Sequence, residues 1–210
     1  MFSSLQKLCQ RLSDSPTSIE ESRKVPLRKL ANYLVHHLEK DQTTKVIVIC
    51  THNSRRSHMG QLALELAADY YGHPSIETFS GGTEATQFNG NALNALQEEG
   101  FKIDSPSKPQ KNKKYQITWK EKMSPYIAFS KVYDDLPNPT RDFVAVMVCS
   151  EADEACPMVL GASQRISLPY EDPKAFDGSP EVLDKYKETF HQILREMLFV
   201  VNQARQKLSL

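Results

Sequence analysis

Two short apolar runs constrain this chain most. Lys45-Val-Ile-Val-Ile49 and Phe143-Val-Ala-Val-Met-Val148 are uninterrupted, rich in β-branched residues, and each is followed directly by a cysteine, Cys50 and Cys149. Such runs suit strands buried on both faces of a parallel sheet. Helical patterns and shorter strands surround them. From Ser57, the residues Met59, Leu62, Ala63, Leu66, Ala67 and Tyr70 share one helical face, which stops at Gly72. Ile76 to Phe79 reads as a strand leading into a glycine turn, Ser80-Gly81-Gly82, and Asn89 to Glu99 as a helix closed by Gly100. Arg165 to Leu168 reads as a last short strand. Pro180 to Lys207 reads as a long helix with Leu183, Tyr186, Phe190, Ile193, Leu194, Met197 and Val201 at helical spacing. This alternation predicts a doubly wound α/β sheet with helices on both faces.

Two regions stand outside the alternation. Residues 1–42 read as helical. Phe2, Leu5, Leu8, Cys9 and Leu12 form one apolar face; Asp14-Ser15-Pro16-Thr17-Ser18 breaks it, with Ser18 as the cap of a short turn. Pro26 is expected to open a second helix that buries Leu27, Leu30, Leu34, Val35 and Leu38. Around residues 104–125 the chain turns rich in Ser, Pro and Lys (Pro106, Lys108, Pro109, Lys111, Lys113, Lys114), with a hairpin expected from Tyr115–Trp119 and Tyr126–Phe129. The basic run reads as a solvated surface, and Trp119 as an edge-strand core residue.

Charge and cysteine content narrow the function. Lys and Arg number 26 against 26 Asp and Glu, so the formal charge is zero. That balance argues against a general nucleic-acid binder. No apolar run approaches the roughly 20 residues of a membrane span, and residues 1–15 lack the apolar core of a secretory signal. A cytoplasmic location is therefore expected, where the four thiols Cys9, Cys50, Cys149 and Cys156 stay reduced. Cys9, on an apolar helix face, reads as a packed thiol.

Cys50-Thr51-His52-Asn53-Ser54-Arg55-Arg56-Ser57 joins the first buried strand to a helix and fits Cys-x5-Arg-Ser. A loop entering a helix N-terminus points backbone N–H groups inward, and the helix dipole favours an anion there. The same field lowers a thiol pKa, so Cys50 is expected to be a thiolate near neutral pH. Arg56 has the planar fork that holds two oxyanion oxygens, Ser57 can hydrogen-bond the sulfur, and Asn53 can fix the loop at positive φ. Arg55 adds positive charge near the anion or points to solvent. His52 and His58 flank the site. Thr51, His52, Asn53, Ser54, Arg55, Arg56 and Ser57 are thus the candidate substrate-binding residues, with no metal ligand expected among them.

This segment resembles the low-molecular-weight protein tyrosine phosphatase superfamily, most closely its thioredoxin-coupled arsenate reductases. The resemblance spans about residues 45 to 207 and implies a flavodoxin-like sheet of about four parallel strands. Residues 43–210 would form the catalytic domain, 1–42 an N-terminal helical extension, and 105–140 an enlarged insertion. The superfamily's general acid lies in an Asp-Pro pair, which falls on Asp172-Pro173. A carboxyl near the anion can protonate the departing oxygen. The reductases' potassium site uses the loop Asn, a helix Glu and a Ser; here Asn53 and Ser80 match, while Gln61 stands in place of the Glu.

Cys149 closes a buried strand, and Cys156 follows after six small or acidic residues and precedes Pro157. These residues suit a mobile, solvent-facing segment. The spacing is wrong for a zinc pair. The arrangement is similar to the two relay cysteines of the reductases, which implies that Cys50, Cys149 and Cys156 carry electrons by disulfide exchange. The implied function is reduction of arsenate to arsenite, with no bound cofactor and thioredoxin as external reductant. Two other readings stay open: a phosphatase acting on phosphotyrosine or a small phosphoester, in which the extra cysteines protect Cys50, and a non-enzymatic redox or oxyanion sensor. The expected partners are arsenate, phosphate or a phosphotyrosine protein, thioredoxin, and a second copy of the chain through the N-terminal helices.

Overall fold

The computed structural model describes residues 1–15, 18–73, 75–107, 111–156 and 158–208. A four-stranded sheet runs in the order β2-β1-β6-β7, built from β1 (Thr44–Cys50), β2 (Ile76–Gly82), β6 (Phe143–Met147) and β7 (Ala162–Ser167). All neighbouring pairs are parallel. The two apolar runs are the central strands. Val46 to Ile49 and Phe143 to Val148 are each at most 2 % exposed, as burial on both faces requires. The strand order reverses between β1 and β6, and this topological switch point sets the carboxyl ends of those strands at the site where such sheets bind ligands.

Helices α1 (Ser3–Ser13), α2 (Glu21–Leu38), α3 (Arg56–Tyr71), α4 (Gly90–Glu99), α5 (Ser150–Ala155) and α6 (Val182–Leu208) complete the main body. α6 packs against α1, α2, α3 and α4 through a face that includes Tyr186, Phe190, Ile193, Leu194, Met197 and Val201. The apolar faces of α1 and α2 are buried within the chain, Leu5, Leu8, Leu12, Leu27, Leu30 and Leu34 among them. Cys9 is fully buried, and that burial pushes its thiol up to about 12. Of the break between α1 and α2, Pro16 and Thr17 lie outside the described residues. Ser18 sits in a 3-10 turn there, and the α2 N-cap is Glu20.

Several boundaries differ from expectation. α2 begins at Glu21, five residues before Pro26. The proline's missing N–H would have bonded the carbonyl of Ser22, in an exposed first turn where water can serve instead. Ser80-Gly81-Gly82 is not a turn but the end of β2, paired with Val48, Ile49 and Cys50. β7 starts earlier than expected, at Ala162, and α6 two residues later than expected, at Val182. The insertion holds the expected hairpin, β4 (Tyr115–Thr118) and β5 (Tyr126–Ala128), antiparallel to each other. A third strand, β3 (Lys102–Asp104), joins β4 and makes a small second sheet. Three residues are too few to show a period. Trp119 is 4 % exposed, and its carbonyl accepts the Phe2 N–H at 2.8 Å, which ties this sheet to the start of α1. Lys108 and Pro109 lie outside the described residues.

Candidate active site

The loop after β1 is shaped by bonds on its outer side. The Thr51 carbonyl accepts from Glu84 N (2.8 Å) and Thr83 Oγ1 (3.2 Å). The His52 carbonyl accepts from Ser130 Oγ (3.0 Å) and Thr86 Oγ1 (3.1 Å), and the Ser54 carbonyl from Asn89 N (2.9 Å). In a trans peptide the carbonyl and the following N–H point opposite ways. The N–H groups of His52, Asn53 and Arg55 are therefore turned inward, toward the head of α3. Asn53 sits at φ 43°, a left-handed conformation that asparagine tolerates. Its side chain donates to Ser57 Oγ (2.9 Å) and accepts the Lys131 N–H (2.9 Å).

Cys50 lies at the base of this loop, 4 % exposed, with its Sγ 3.0 Å from Ser57 Oγ. Because Asn53 donates to Ser57 Oγ, the serine proton is free to point at the sulfur. Arg56, the first residue of α3, donates from Nη1 to the Tyr170 carbonyl (2.8 Å) and from Nη2 to Asp172 Oδ2 (2.7 Å). Arg55 turns to the same carboxylate, Nε to Oδ1 at 2.9 Å, so it does not point to solvent. Asp172 caps a 3-10 turn over Pro173–Phe176 and accepts the Lys174 N–H at 3.0 Å. Burial of this carboxyl opposes ionisation, but the Lys174 N–H and the two guanidinium groups outweigh it and hold its pKa below the usual carboxylate value. Asp172 is thus the counter-ion of both arginines. An oxyanion that takes over Arg56 removes part of that stabilisation and moves Asp172 toward its protonated form.

Cys149 follows β6 beside this loop. It is fully buried, and its Sγ lies 3.4 Å from Thr51 Oγ1. Residues 150–155, expected as a mobile segment, form α5, with Cys149 at its N-cap and Cys156 at its C-cap. Ala152 is buried beneath it. From β7, Arg165 donates to the carbonyls of Asp153 and Cys156 and pairs with the Asp153 carboxylate, while Ser167 Oγ donates to Asp153 Oδ2 at 2.6 Å. These contacts make a helix of a stretch that is polar by composition. All four cysteines are free thiols, and Pro157 lies outside the described residues.

A cleft of about 860 Å³ opens in front of the loop, bounded by Arg55, Arg56 and Asp172 but also by Arg23, Glu151 and Gln192. The last three carry no local motif. Arg23, from α2, holds Glu196 of α6 through Nε (3.2 Å) and Nη2 (2.8 Å) and donates to the Pro169 carbonyl (2.8 Å). Tyr170 completes the group by donating to Glu196 Oε2 at 2.7 Å. Of the flanking histidines, His52 is exposed at the rim, whereas His58 is buried and stacked on Phe88 at 3.9 Å. Burial and the Lys131 charge hold His58 neutral, well below the ordinary imidazole pKa.

The residues matched to a potassium site do not fit one. Gln61 offers no carboxylate, and its amide is engaged with the Thr78 carbonyl (2.9 Å) and the Tyr126 hydroxyl (2.8 Å). Asn53 Oδ1 is taken by Lys131 N–H, and Ser80 Oγ by His58 Nδ1 at 3.3 Å. Among the described residues no cluster of three His, Cys, Asp or Glu could hold a metal, and no helix is long and apolar enough to cross a membrane.

Gly82 backs directly onto the loop. A Cβ there would collide with the carbonyls of Glu84 and Thr51 and with Asn53 N, all of them backbone atoms that cannot swing aside. Gly82→Ala is therefore expected to displace the anion loop, weakening phosphate binding at least about tenfold and destabilising the fold by about 1–3 kcal/mol. Isothermal titration with phosphate and a thermal melt would measure the two effects.

No protein-family model matches the chain. An arsenate reductase from Shouchella clausii is 27 % identical over 136 residues, which span 65 % of this chain and 78 % of the relative. Among solved structures, a low-molecular-weight protein tyrosine phosphatase from Bacillus subtilis superposes with a TM-score of 0.51 at 16 % identity, covering 78 % of this chain and 98 % of that one. A low-molecular-weight phosphotyrosine phosphatase from Vibrio cholerae O395 gives 0.50 at 15 % identity, with 80 % and 99 % covered. The parallel sheet with its flanking helices is thus the fold of the low-molecular-weight protein tyrosine phosphatases, and in sequence the chain is similar to an arsenate reductase.

Proposed function

We propose that the protein reduces arsenate to arsenite through Cys50, Cys149 and Cys156. One observation carries this reading: a second thiol, Cys149, touches Thr51, the residue next to Cys50, and a third, Cys156, ends the short helix that Cys149 begins. A phosphatase needs one thiol; two-electron reduction needs a partner thiol within reach of the first.

The sequence of events is the one that the resemblance to the arsenate reductases implies. Arsenate enters the loop with its oxygens on the inward N–H groups and on Arg56. Cys50 thiolate attacks arsenic, and the oxygen that leaves takes a proton from Asp172 and departs as water. Cys149 thiolate then attacks the Cys50 sulfur. The S–As pair of electrons stays with arsenic, which leaves as arsenite, and a Cys50–Cys149 disulfide remains. Cys156 attacks Cys149, frees Cys50 as thiolate and forms Cys149–Cys156. A dithiol protein of the thioredoxin class reduces that bond and is itself oxidised.

The last exchange demands movement. At 1.5 Å rise per residue, the seven steps along α5 put the two Cα atoms about 10 Å apart, beyond the roughly 7 Å a disulfide allows. α5 must unwind and give up its bonds to Arg165 and Ser167. The cleft supports a small oxyanion over phosphotyrosine. Its rim carries Arg23, Glu151, Glu171 and Lys174, and Phe176, the aromatic residue after Asp172-Pro173, lies outside it under Lys185.

The test couples arsenate to NADPH oxidation through thioredoxin and its reductase, beside p-nitrophenyl phosphate hydrolysis. The wild type is expected to turn over arsenate. Cys149→Ser and Cys156→Ser are each expected to lose at least about a hundredfold of that activity, with any phosphoester hydrolysis retained. A wild type that hydrolyses the phosphoester but reduces no arsenate would assign the site to a phosphatase instead, and variants that both reduce arsenate at the wild-type rate would remove the relay.

A further inference from the structure

The oxyanion reading leaves one buried charge unused. Lys131 is 3 % exposed, and its backbone is stitched into the rear of the loop: its N–H donates to Asn53 Oδ1 (2.9 Å) and its carbonyl accepts from Gly82 N (3.0 Å). Its ammonium has weak partners only, the Phe129 carbonyl at 3.5 Å and the Phe129 ring face at 4.8 Å. Among the described residues no carboxylate lies within ion-pair distance of it. Asp135 acts on it from further away and is itself bonded to Val132 N (3.1 Å). His58, facing it from α3, is neutral, and Lys114 lies over the same Phe129 ring at 4.9 Å.

An unpaired buried ammonium costs stability unless something nearby uses its charge. The anion loop is the neighbouring feature that gains from positive potential, and the residues around it do not form a site for a free metal cation. Resting on the oxyanion reading, we infer that Lys131 is a positioning residue: its tethered ammonium is the resident cation behind the Cys50 loop, so that anion binding there needs no free monovalent metal ion, while its N–H fixes Asn53. Burial also lowers the ammonium to about 8, so this charge fades at mildly alkaline pH.

The experiment measures phosphate affinity by isothermal titration. For the wild type, exchanging potassium chloride for choline chloride at equal ionic strength is expected to change neither affinity nor melting temperature. Lys131→Met is expected to bind phosphate about tenfold more weakly or worse at pH 7, and added potassium or methylammonium to restore part of the loss. The wild-type to variant affinity ratio is expected to fall toward one above pH 8 to 9, a ratio that cancels the titration of phosphate and of groups the two proteins share. Equal binding by the two proteins at pH 7 overturns the inference alone. So does a wild type whose affinity or melting temperature rises specifically in potassium, a result that needs no variant to fold. A wild type that binds no phosphate overturns the oxyanion reading and this inference with it.

Discussion

Cys50→Ser is expected to abolish arsenate reduction and phosphoester hydrolysis together, by at least about a thousandfold, while phosphate still binds the loop. The serine hydroxyl is a far weaker nucleophile than a thiol at neutral pH, and the neighbouring Ser57 can hydrogen-bond it but cannot take its proton. The proposed binding surface is mostly backbone and Arg56, so the substitution leaves it standing. Stopped-assay rates with either substrate, set beside a phosphate titration of the variant, would separate lost chemistry from lost binding. Residual turnover within about tenfold of wild type would show that the nucleophile lies elsewhere.

Arg56→Lys is the second large effect, expected at a hundredfold or more in kcat/KM. The change keeps the charge but removes the fork. One arm of the guanidinium holds the Tyr170 carbonyl and the other holds Asp172, so a single side chain ties the anion loop to the segment bearing the acid. An ammonium is a point charge and cannot serve both while also gripping two oxygens of an anion. Both kcat and KM are therefore expected to suffer. A rise in KM alone would mean that Arg56 binds substrate without organising the acid.

The parts of this architecture that were legible in the sequence are local. The two β-branched runs became the central strands, and Cys50 through Ser57 became a strand–loop–helix turn, because each depends on neighbours in sequence. Gly72 stops α3 at φ 77°, as a helix-ending glycine does. What escaped notice depends on residues far apart in the chain. Lys131 stands in a lysine-bearing insertion, where lysines read as solvated, and only the tertiary fold, which ties its backbone to Asn53 and sets its ammonium over Phe129, makes it a buried charge. Arg23 reads as one more polar position of a helix until Glu196, 173 residues later, is seen beside it. α5 was hidden for the opposite reason: its acidic composition favours solvent, and Arg165 and Ser167 on a neighbouring strand hold it.

Three guanidinium groups hold the segment from Pro169 to Asp172. Arg55 and Arg56 grip it from the head of α3, and Arg23 grips it from α2. α2 thereby becomes half of a vice on the acid. Trimming the chain to its Cys-x5-Arg core would leave one jaw of that vice closing on nothing, with Glu196 stranded in the wall beside it. In this molecule the segment that bears Asp172 is anchored to a helix at the front of the chain as well as to the Cys50–Ser57 strand–loop–helix turn.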